Sequence, residues 1–134
     1  MAASERVTVA LRTQEDVVRL RHRVREQAVG LKFSLLEQTK IVTAASELGR
    51  NVLTYGGAGE AIIEACMKNG RYGLTLTFID HGPGIPNVED AMRPGFSTGG
   101  GLGLGLGGTR RLVDEFELRS EVGKGTIVRI VRWK

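Results

Sequence analysis

Two side chains capable of acid–base and metal chemistry stand four residues apart in the segment ASELGRNVLTY, namely Glu47 and Asn51. On a helix, residues i and i+4 lie one above the other. The pair would then place a carboxylate beside an amide at the margin of the core. The carboxylate could act as a general base and the amide oxygen as a metal ligand. Taken alone, the pair fits better with a solvated glutamate and an ordinary polar helix residue.

A second candidate group begins at Asp80, which follows the apolar run LTLTFI and precedes HGPGI. Ligands often meet the backbone where a strand ends in a glycine-containing turn. Asp80 could accept a hydrogen bond from an exocyclic amine, while Gly82 and Gly84 let the chain pass close to a flat base. The same residue types also form plain turns, so both interpretations stay open.

The third group is the run GGGLGLGLGG at residues 99–108. Backbone N–H groups in a glycine loop before a helix form an anion site. The alternating leucines could close over a ligand as an apolar lid, whereas a flexible linker would be rich in serine. The chain has no Walker motif. Gly103, Gly105 and Gly108 fit the dinucleotide pattern G-x-G-x-x-G, but no strand precedes them, so we discount that match.

Composition restricts the class of protein. With 134 residues, 41% of them hydrophobic and 25% charged, the chain is expected to form a single globular domain over residues 1–134. The lone Cys66 excludes a disulfide framework and a cysteine zinc site, and two histidines argue against a histidine-rich metal centre. We see no apolar run of about 20 residues and no signal sequence, and therefore expect a cytoplasmic protein with no membrane partner.

The elements that must position these residues follow from periodicity and from capping signals. Thr13 with Asp16 could cap a first helix, and Ser34 with Glu37 match a capping box for a second. Glycines 56 and 57 end the second helix. The chain is predicted to form an α+β two-layer sandwich, with a mixed, mainly antiparallel sheet and helices on one face. The predicted strands are Glu5–Arg12, Ala61–Met67, Tyr72–Ile79, Phe116–Glu121 and Thr126–Arg132, with a short helix over Thr109–Glu115 and a hairpin turn at Asn69-Gly70.

Taken together and in this order, the motifs resemble those of the GHKL superfamily of ATP-binding domains, which includes gyrase, histidine kinases and MutL and has the Bergerat fold. Its boxes match Glu47-x-x-x-Asn51, Asp80-x-Gly82-x-Gly84, residues 101–105 and Gly123-x-Gly125-Thr126. Within the superfamily, the stretches FIDHGPGIP and RPGFSTGGGLGLGLGGTRRLVDEF and the ending near Trp133 are similar to the RsbT family of serine/threonine switch kinases.

The resemblance implies a function. It implies a kinase that uses ATP and Mg²⁺ to phosphorylate STAS-domain proteins of the RsbS and RsbR kind in a bacterial stress-signalling complex, the stressosome. Once released, the kinase would bind and activate a phosphatase of the RsbU type. No nucleic acid is implied as a partner.

The resemblance also implies roles for individual residues. Glu47 would be the general base, Asn51 would coordinate magnesium, and Asp80 would receive the adenine amine. Arg111 would neutralise the γ-phosphate, and Thr126 would support the base through water. The other nucleotide contacts implied are Gly82, Gly84, Thr98, Gly99, Gly100, Gly101, Leu102, Gly103, Leu104 and Gly105.

Three alternatives remain open from the sequence. The first is an anti-sigma factor with kinase activity on the same fold, and the second is a nucleotide-gated binding module without catalysis. The third is nucleic-acid binding by the first helix, since the net charge is +4 and arginines lie around His22. These arginines fall on several sides of the helix, and only 5% of residues are aromatic, which favours a solvated surface.

Overall fold

The computed structural model describes residues 6–85, Met92 and residues 105–134. These residues form a five-stranded sheet with three α-helices and one π-helical turn. The elements in chain order are β1 Arg6–Leu11, α1 Gln14–Gly30, α2 Leu35–Asn51, the π-helical turn Val52–Gly56, β2 Gly59–Lys68, β3 Arg71–Asp80, α3 Gly105–Arg110, β4 Glu115–Glu121 and β5 Gly125–Trp133.

The strand order in the sheet is β1-β2-β3-β5-β4, and every pairing among the described strands is antiparallel. The predicted α+β fold with a mainly antiparallel sheet is thereby confirmed. The turn between β2 and β3 has positive φ at both Asn69 (53°) and Gly70 (78°). A two-residue hairpin loop with two positive φ angles matches the right-handed twist of the strands, which is why this dipeptide predicted the turn.

One face of the sheet and the two long helices enclose the core. On β3, Leu74, Leu76 and Phe78 are fully buried. They point to the same face of the sheet as the residues paired with them on β2, which are Ala65, Ile63 and Ala61. The helices contribute apolar residues at intervals of three and four, so each covers this face with one stripe. The buried stripes are Val17, Leu20, Val24 and Ala28 on α1 and Ile41, Ala44, Ala45 and Leu48 on α2.

Both predicted N-terminal caps are present. The Thr13 hydroxyl accepts a hydrogen bond from the Asp16 N–H at 3.4 Å, and the Asp16 carboxylate accepts from the Thr13 N–H at 3.0 Å. At α2, the Ser34 hydroxyl accepts from the Glu37 N–H at 3.1 Å, and the Glu37 carboxylate accepts from the Ser34 N–H at 2.7 Å. Each cap satisfies backbone donors that the first helical turn leaves unpaired.

These caps change the acidity of their carboxyl groups. The backbone N–H of Arg12 and the guanidinium of Arg19 lower the pKa of Asp16 to about 2. The backbone N–H of Ser34 likewise lowers the pKa of Glu37. Hydrogen bonds donated to a carboxylate favour its charged form.

The short helix lies earlier in the chain than predicted. It spans Gly105–Arg110, whereas the sequence predicted Thr109–Glu115, and turns separate it from β4. Thr109 does not cap this helix, because its hydroxyl donates to the Gly105 carbonyl at 2.8 Å from within it. Leu106 is buried in the core cluster, so packing fixes the helix where the glycine-rich composition gave no helical signal. Among the described residues, no helix is long and apolar enough to span a bilayer.

Candidate active site

Glu47 and Asn51 lie on one side of the last turns of α2, as the i, i+4 spacing predicted. Glu47 is buried and Asn51 is half-buried, and Asn51 is the last residue of the α-helix. A buried carboxylate requires charged or hydrogen-bonding partners. Arg50, whose side chain is 47% exposed, forms an ion pair with Glu47. The carboxylate is therefore held at the margin of the core with a cation on its solvent side.

Immediately after Asn51 the helix widens into the π-helical turn, which ends before Gly57 with φ of 80°. The sequence indicated only that glycines 56 and 57 stop the helix. In the structure, a Cβ atom at Gly56 would lie 2.4 Å from both Cβ and Cγ of Asp80. The turn thus brings the end of α2 against the carboxyl group at the end of β3. Single π-helical turns occur often at functional sites, and this one joins two of the predicted motifs.

Asp80 is buried, with 9% of its surface exposed, and ends β3. Its Oδ1 accepts a hydrogen bond from the Gly82 N–H at 2.9 Å. An ionised carboxylate offers about four lone-pair sites, so it has capacity for a further donor. Gly84 has φ of +81°, and a Cβ there would lie 2.4 Å from the Glu121 carbonyl. The chain after Asp80 therefore lies against the β4–β5 hairpin in a conformation that requires glycine.

Thr126 is the partner of Asp80 across β3 and β5, and Ser120 of β4 is in turn the partner of Thr126. Directly opposed residues of antiparallel strands point to the same face, so the three side chains form one row. The Thr126 and Ser120 hydroxyl oxygens are 2.8 Å apart, and Ser120 Oγ accepts from the Ile85 N–H at 2.7 Å. Ser120 was not among the site residues predicted from the sequence. The one sequence feature that points to it is its position opposite Thr126 when the strands on either side of Gly123 are paired as a hairpin.

Of the remaining predicted site residues, the structure describes Arg111 and Gly105. Arg111 is exposed in the turn after α3, where its N–H donates to the Gly108 carbonyl at 3.2 Å. Gly105 begins α3 with φ of 71°, and α3 contacts α2. The end of the glycine run is thus anchored to the helix that carries Glu47 and Asn51. The predicted contacts Thr98, Gly99, Gly100, Gly101, Leu102, Gly103 and Leu104 lie outside the described residues.

The donor set also bears on the magnesium ion that the sequence motifs imply. In the part of the chain that the structure describes, no group of three or more His, Cys, Asp or Glu side chains could hold a metal ion. Magnesium at phosphoryl-transfer sites is bound through one or two protein ligands and the substrate phosphates, and it keeps several waters. The side-chain oxygens of Asn51 and Glu47 fit that sparse donor set.

Comparison with known proteins decides the family. Residues 9–132 match the histidine kinase-like ATPase domain family. The chain belongs to this family. The match covers every described element except the N-terminal half of β1 and the last residue of β5.

Two relatives indicate which activity this histidine kinase-like ATPase has. It is 44% identical over 125 residues to the serine/threonine-protein kinase RsbT of Bacillus subtilis, covering 93% of this chain and 94% of the relative. It is 33% identical over 112 residues to the anti-sigma F factor of a Thermoanaerobacter species, covering 79% and 77% of the two chains. The chain is therefore a serine/threonine-protein kinase of the RsbT type, with an ATP-binding domain of the histidine kinase-like kind.

A solved structure supports the fold. A crystal structure of the RsbU and RsbW domains of a Mycobacterium tuberculosis protein matches 96% of this chain and 31% of its own, with a TM-score of 0.66 and 19% identity. At that identity the likeness establishes the fold alone. It agrees with the sheet and helix layers described above.

Proposed function

We propose that this kinase uses Mg²⁺ and ATP to phosphorylate a serine or threonine on a STAS-domain partner of the RsbS or RsbR kind. The observation that carries the proposal is the meeting of three distant segments. The π-helical turn after Asn51 contacts Asp80, and Asp80 pairs with Thr126. The residues proposed to bind the base, Asp80 and Thr126, therefore lie next to the end of α2, which carries the residues proposed for catalysis.

The base end of the proposed site consists of Asp80 and Thr126. Asp80 accepts a hydrogen bond from the adenine amine, since it is buried and retains lone pairs beside the one that Gly82 engages. The backbone at Gly82 and Gly84 runs along the base. Thr126 supports the same edge of the ring through a water molecule. A hydrogen bond to a buried charged group contributes about 1.5–3 kcal/mol, enough to select adenine.

The phosphate end consists of α2 and the glycine run. When bound, Mg²⁺ would be held by Asn51 and would neutralise charge on the phosphates. The sequence motif at residues 98–105 supports backbone contacts to the phosphates as part of this proposal, with Arg111 as the cation for the γ-phosphate. Phosphoryl transfer depends mainly on such positioning and charge stabilisation.

In the proposed reaction Glu47 accepts the proton of the partner's hydroxyl group as its oxygen attacks the γ-phosphorus. The bond from that phosphorus to the oxygen bridging to the β-phosphate breaks, and ADP leaves with the electron pair. Glu47 is buried and forms an ion pair with the Arg50 guanidinium, which holds the carboxylate in place at the phosphate end of the proposed site.

The partners are proposed from the RsbT relationship. The 44% identity to RsbT supports a place in an Rsb-type signalling pathway, and we propose a phosphatase of the RsbU type as its effector. We propose that the kinase is held by STAS-domain scaffold proteins in the cytoplasm, and that it binds and activates the phosphatase once released.

The test is transfer of label from γ-³²P-ATP to purified STAS-domain proteins, followed by mapping of the labelled residue. The Glu47→Gln variant keeps the side-chain volume and is expected to bind ATP normally while label transfer falls at least a hundredfold. The exposed Thr8→Ala variant on β1 is the control and should match the wild type. Unchanged transfer by Glu47→Gln would remove Glu47 from the mechanism.

A second candidate function is supported by the 33% identity to anti-sigma F factors. In that case the kinase would bind a sigma factor directly. Parallel pull-downs with a sigma factor and with STAS-domain proteins distinguish the two functions. Recovery of the sigma factor alone would favour the anti-sigma function.

A further inference from the structure

We propose that Ser120 is a positioning residue that sets the nucleotide-base specificity of the site by fixing the direction of the Thr126 hydroxyl. This inference rests on the proposed function, because it assumes that a purine base binds beside Asp80. Ser120 lies on β4, and in the described part of the chain its side chain reaches the site through Thr126 and through the segment after β3, at Ile85.

Three hydrogen-bond partners engage the Ser120 hydroxyl group. Its Oγ accepts from the Ile85 N–H at 2.7 Å, donates to the Gly125 carbonyl at 3.3 Å, and lies 2.8 Å from the Thr126 hydroxyl. A serine hydroxyl has one proton and two lone pairs. By distance alone, either hydroxyl could donate in the contact between Ser120 and Thr126. We assign the donated proton to Thr126, because Ser120 donates its own proton to the Gly125 carbonyl and one of its lone pairs receives the Ile85 N–H.

This assignment determines what Thr126 can offer to a ligand. With its only proton donated to Ser120, the Thr126 hydroxyl presents lone pairs alone. Its neighbour in the same row is the Asp80 carboxylate, also an acceptor. Two adjacent acceptors suit the amino group of adenine, either directly or through a water that the amine engages. A 6-oxo group, which is itself an acceptor, would face two acceptors and no donor.

Purine selectivity therefore depends on Ser120, although it lies two strands away from Asp80. Replacing Ser120 with alanine frees the Thr126 proton, so that Thr126 can turn and donate to a 6-oxo group. Losing the hydrogen bond from the Ile85 N–H as well would weaken all nucleotides alike, because that bond only holds the segment after β3 against β4. The ratio of two affinities separates these effects.

The experiment measures Kd for ATP and for inosine triphosphate, which carries a 6-oxo group and no amine, by calorimetry on the full chain. The wild type should prefer ATP. Ser120→Ala should reduce the preference about five- to tenfold, the range of one hydrogen bond. Ser120→Thr, which keeps the hydroxyl, should retain it. Arg119→Ala, an exposed neighbour on β4 whose side chain lies on the opposite face, is the control.

Because Ser120 acts through Thr126, Ser120→Ala should change the ratio no further in a Thr126→Val background. An unchanged ratio in Ser120→Ala, or equal changes in both backgrounds, would overturn the inference. Should Ser120→Ala fail to fold, Ser120→Cys provides the same test, since sulfur is only a weak acceptor for the Thr126 proton. A wild type that binds neither nucleotide would overturn the proposed function as well. One that binds both equally would overturn this inference and the contact between Asp80 and the adenine amine, but not the use of a nucleoside triphosphate.

Discussion

Replacement of Gly56 by alanine tests whether the π-helical turn and Asp80 form one unit. The new Cβ would lie 2.4 Å from Cβ and Cγ of Asp80, about 1 Å inside ordinary van der Waals contact at roughly 3.4 Å. Either the turn or the carboxyl group must move. Overpacking of this kind costs about 1–3 kcal/mol, which for a chain of this size lowers Tm by roughly 4–12 °C.

The same displacement should affect nucleotide binding. If Asp80 moves by about 1 Å, its hydrogen bond to the adenine amine is lost, and that loss weakens ATP binding about ten- to a hundredfold. Differential scanning fluorimetry gives Tm, and calorimetry gives the ATP affinity. Gly30→Ala is the matched control, because Gly30 ends α1 and a Cβ there meets nothing within 4 Å. A Gly56→Ala variant with the Tm and ATP affinity of Gly30→Ala would refute this packing argument.

Three further predictions concern charge. Asp80→Asn should raise the Kd for ATP at least tenfold with an unchanged circular dichroism spectrum, because an amide can present a donor to the amine; normal affinity would contradict the adenine assignment. Removal of divalent ions with EDTA, or Asn51→Ala, should abolish label transfer while adenosine still binds, and full transfer in EDTA would exclude the metal role. The lowered pKa values of Asp16, about 2, and of Glu37 mean that both caps stabilise the fold above the ordinary pKa near 4 and lose this effect as pH falls toward 2. Thermal scans from pH 5 to 2 should show a smaller loss of Tm in an Asp16→Asn/Glu37→Gln variant, and an identical loss would contradict this.

The features predicted correctly from sequence are those fixed by neighbouring residues. The caps at Thr13 and Ser34 depend on hydrogen bonds that span three residues. The turn at Asn69-Gly70 depends on positive φ angles that these two residues adopt readily. The i, i+4 pair on α2 follows from helix geometry alone. Each of these features depends on residues that are close together in the sequence, so a short stretch of sequence is enough to predict it.

The features that sequence missed depend on contacts between distant segments. The short helix over Gly105–Arg110 contacts α2 and buries Leu106 in the core, and no local sequence pattern predicted these contacts. The π-helical turn is matched to the position of Asp80, 24 residues beyond Gly56. Ser120 joins the site only through the register of three strands. Sheet register is set by pairing across the whole fold, so residues two strands from a motif escape a motif search.

The two ends of the site differ in how they are held, and this difference makes their roles separable. The proposed base end is fixed by sheet register, by the hydrogen bond from the Gly82 N–H to Asp80 and by the hydrogen bond between Ser120 and Thr126, none of which involves a phosphate group. The catalytic end depends on the last turn of α2, where Glu47 and Asn51 lie. Disturbance at the base end must therefore weaken adenosine, ADP and ATP by similar factors. Disturbance at α2 must leave adenosine binding intact and act on the triphosphate and its transfer, because only those ligands reach that end.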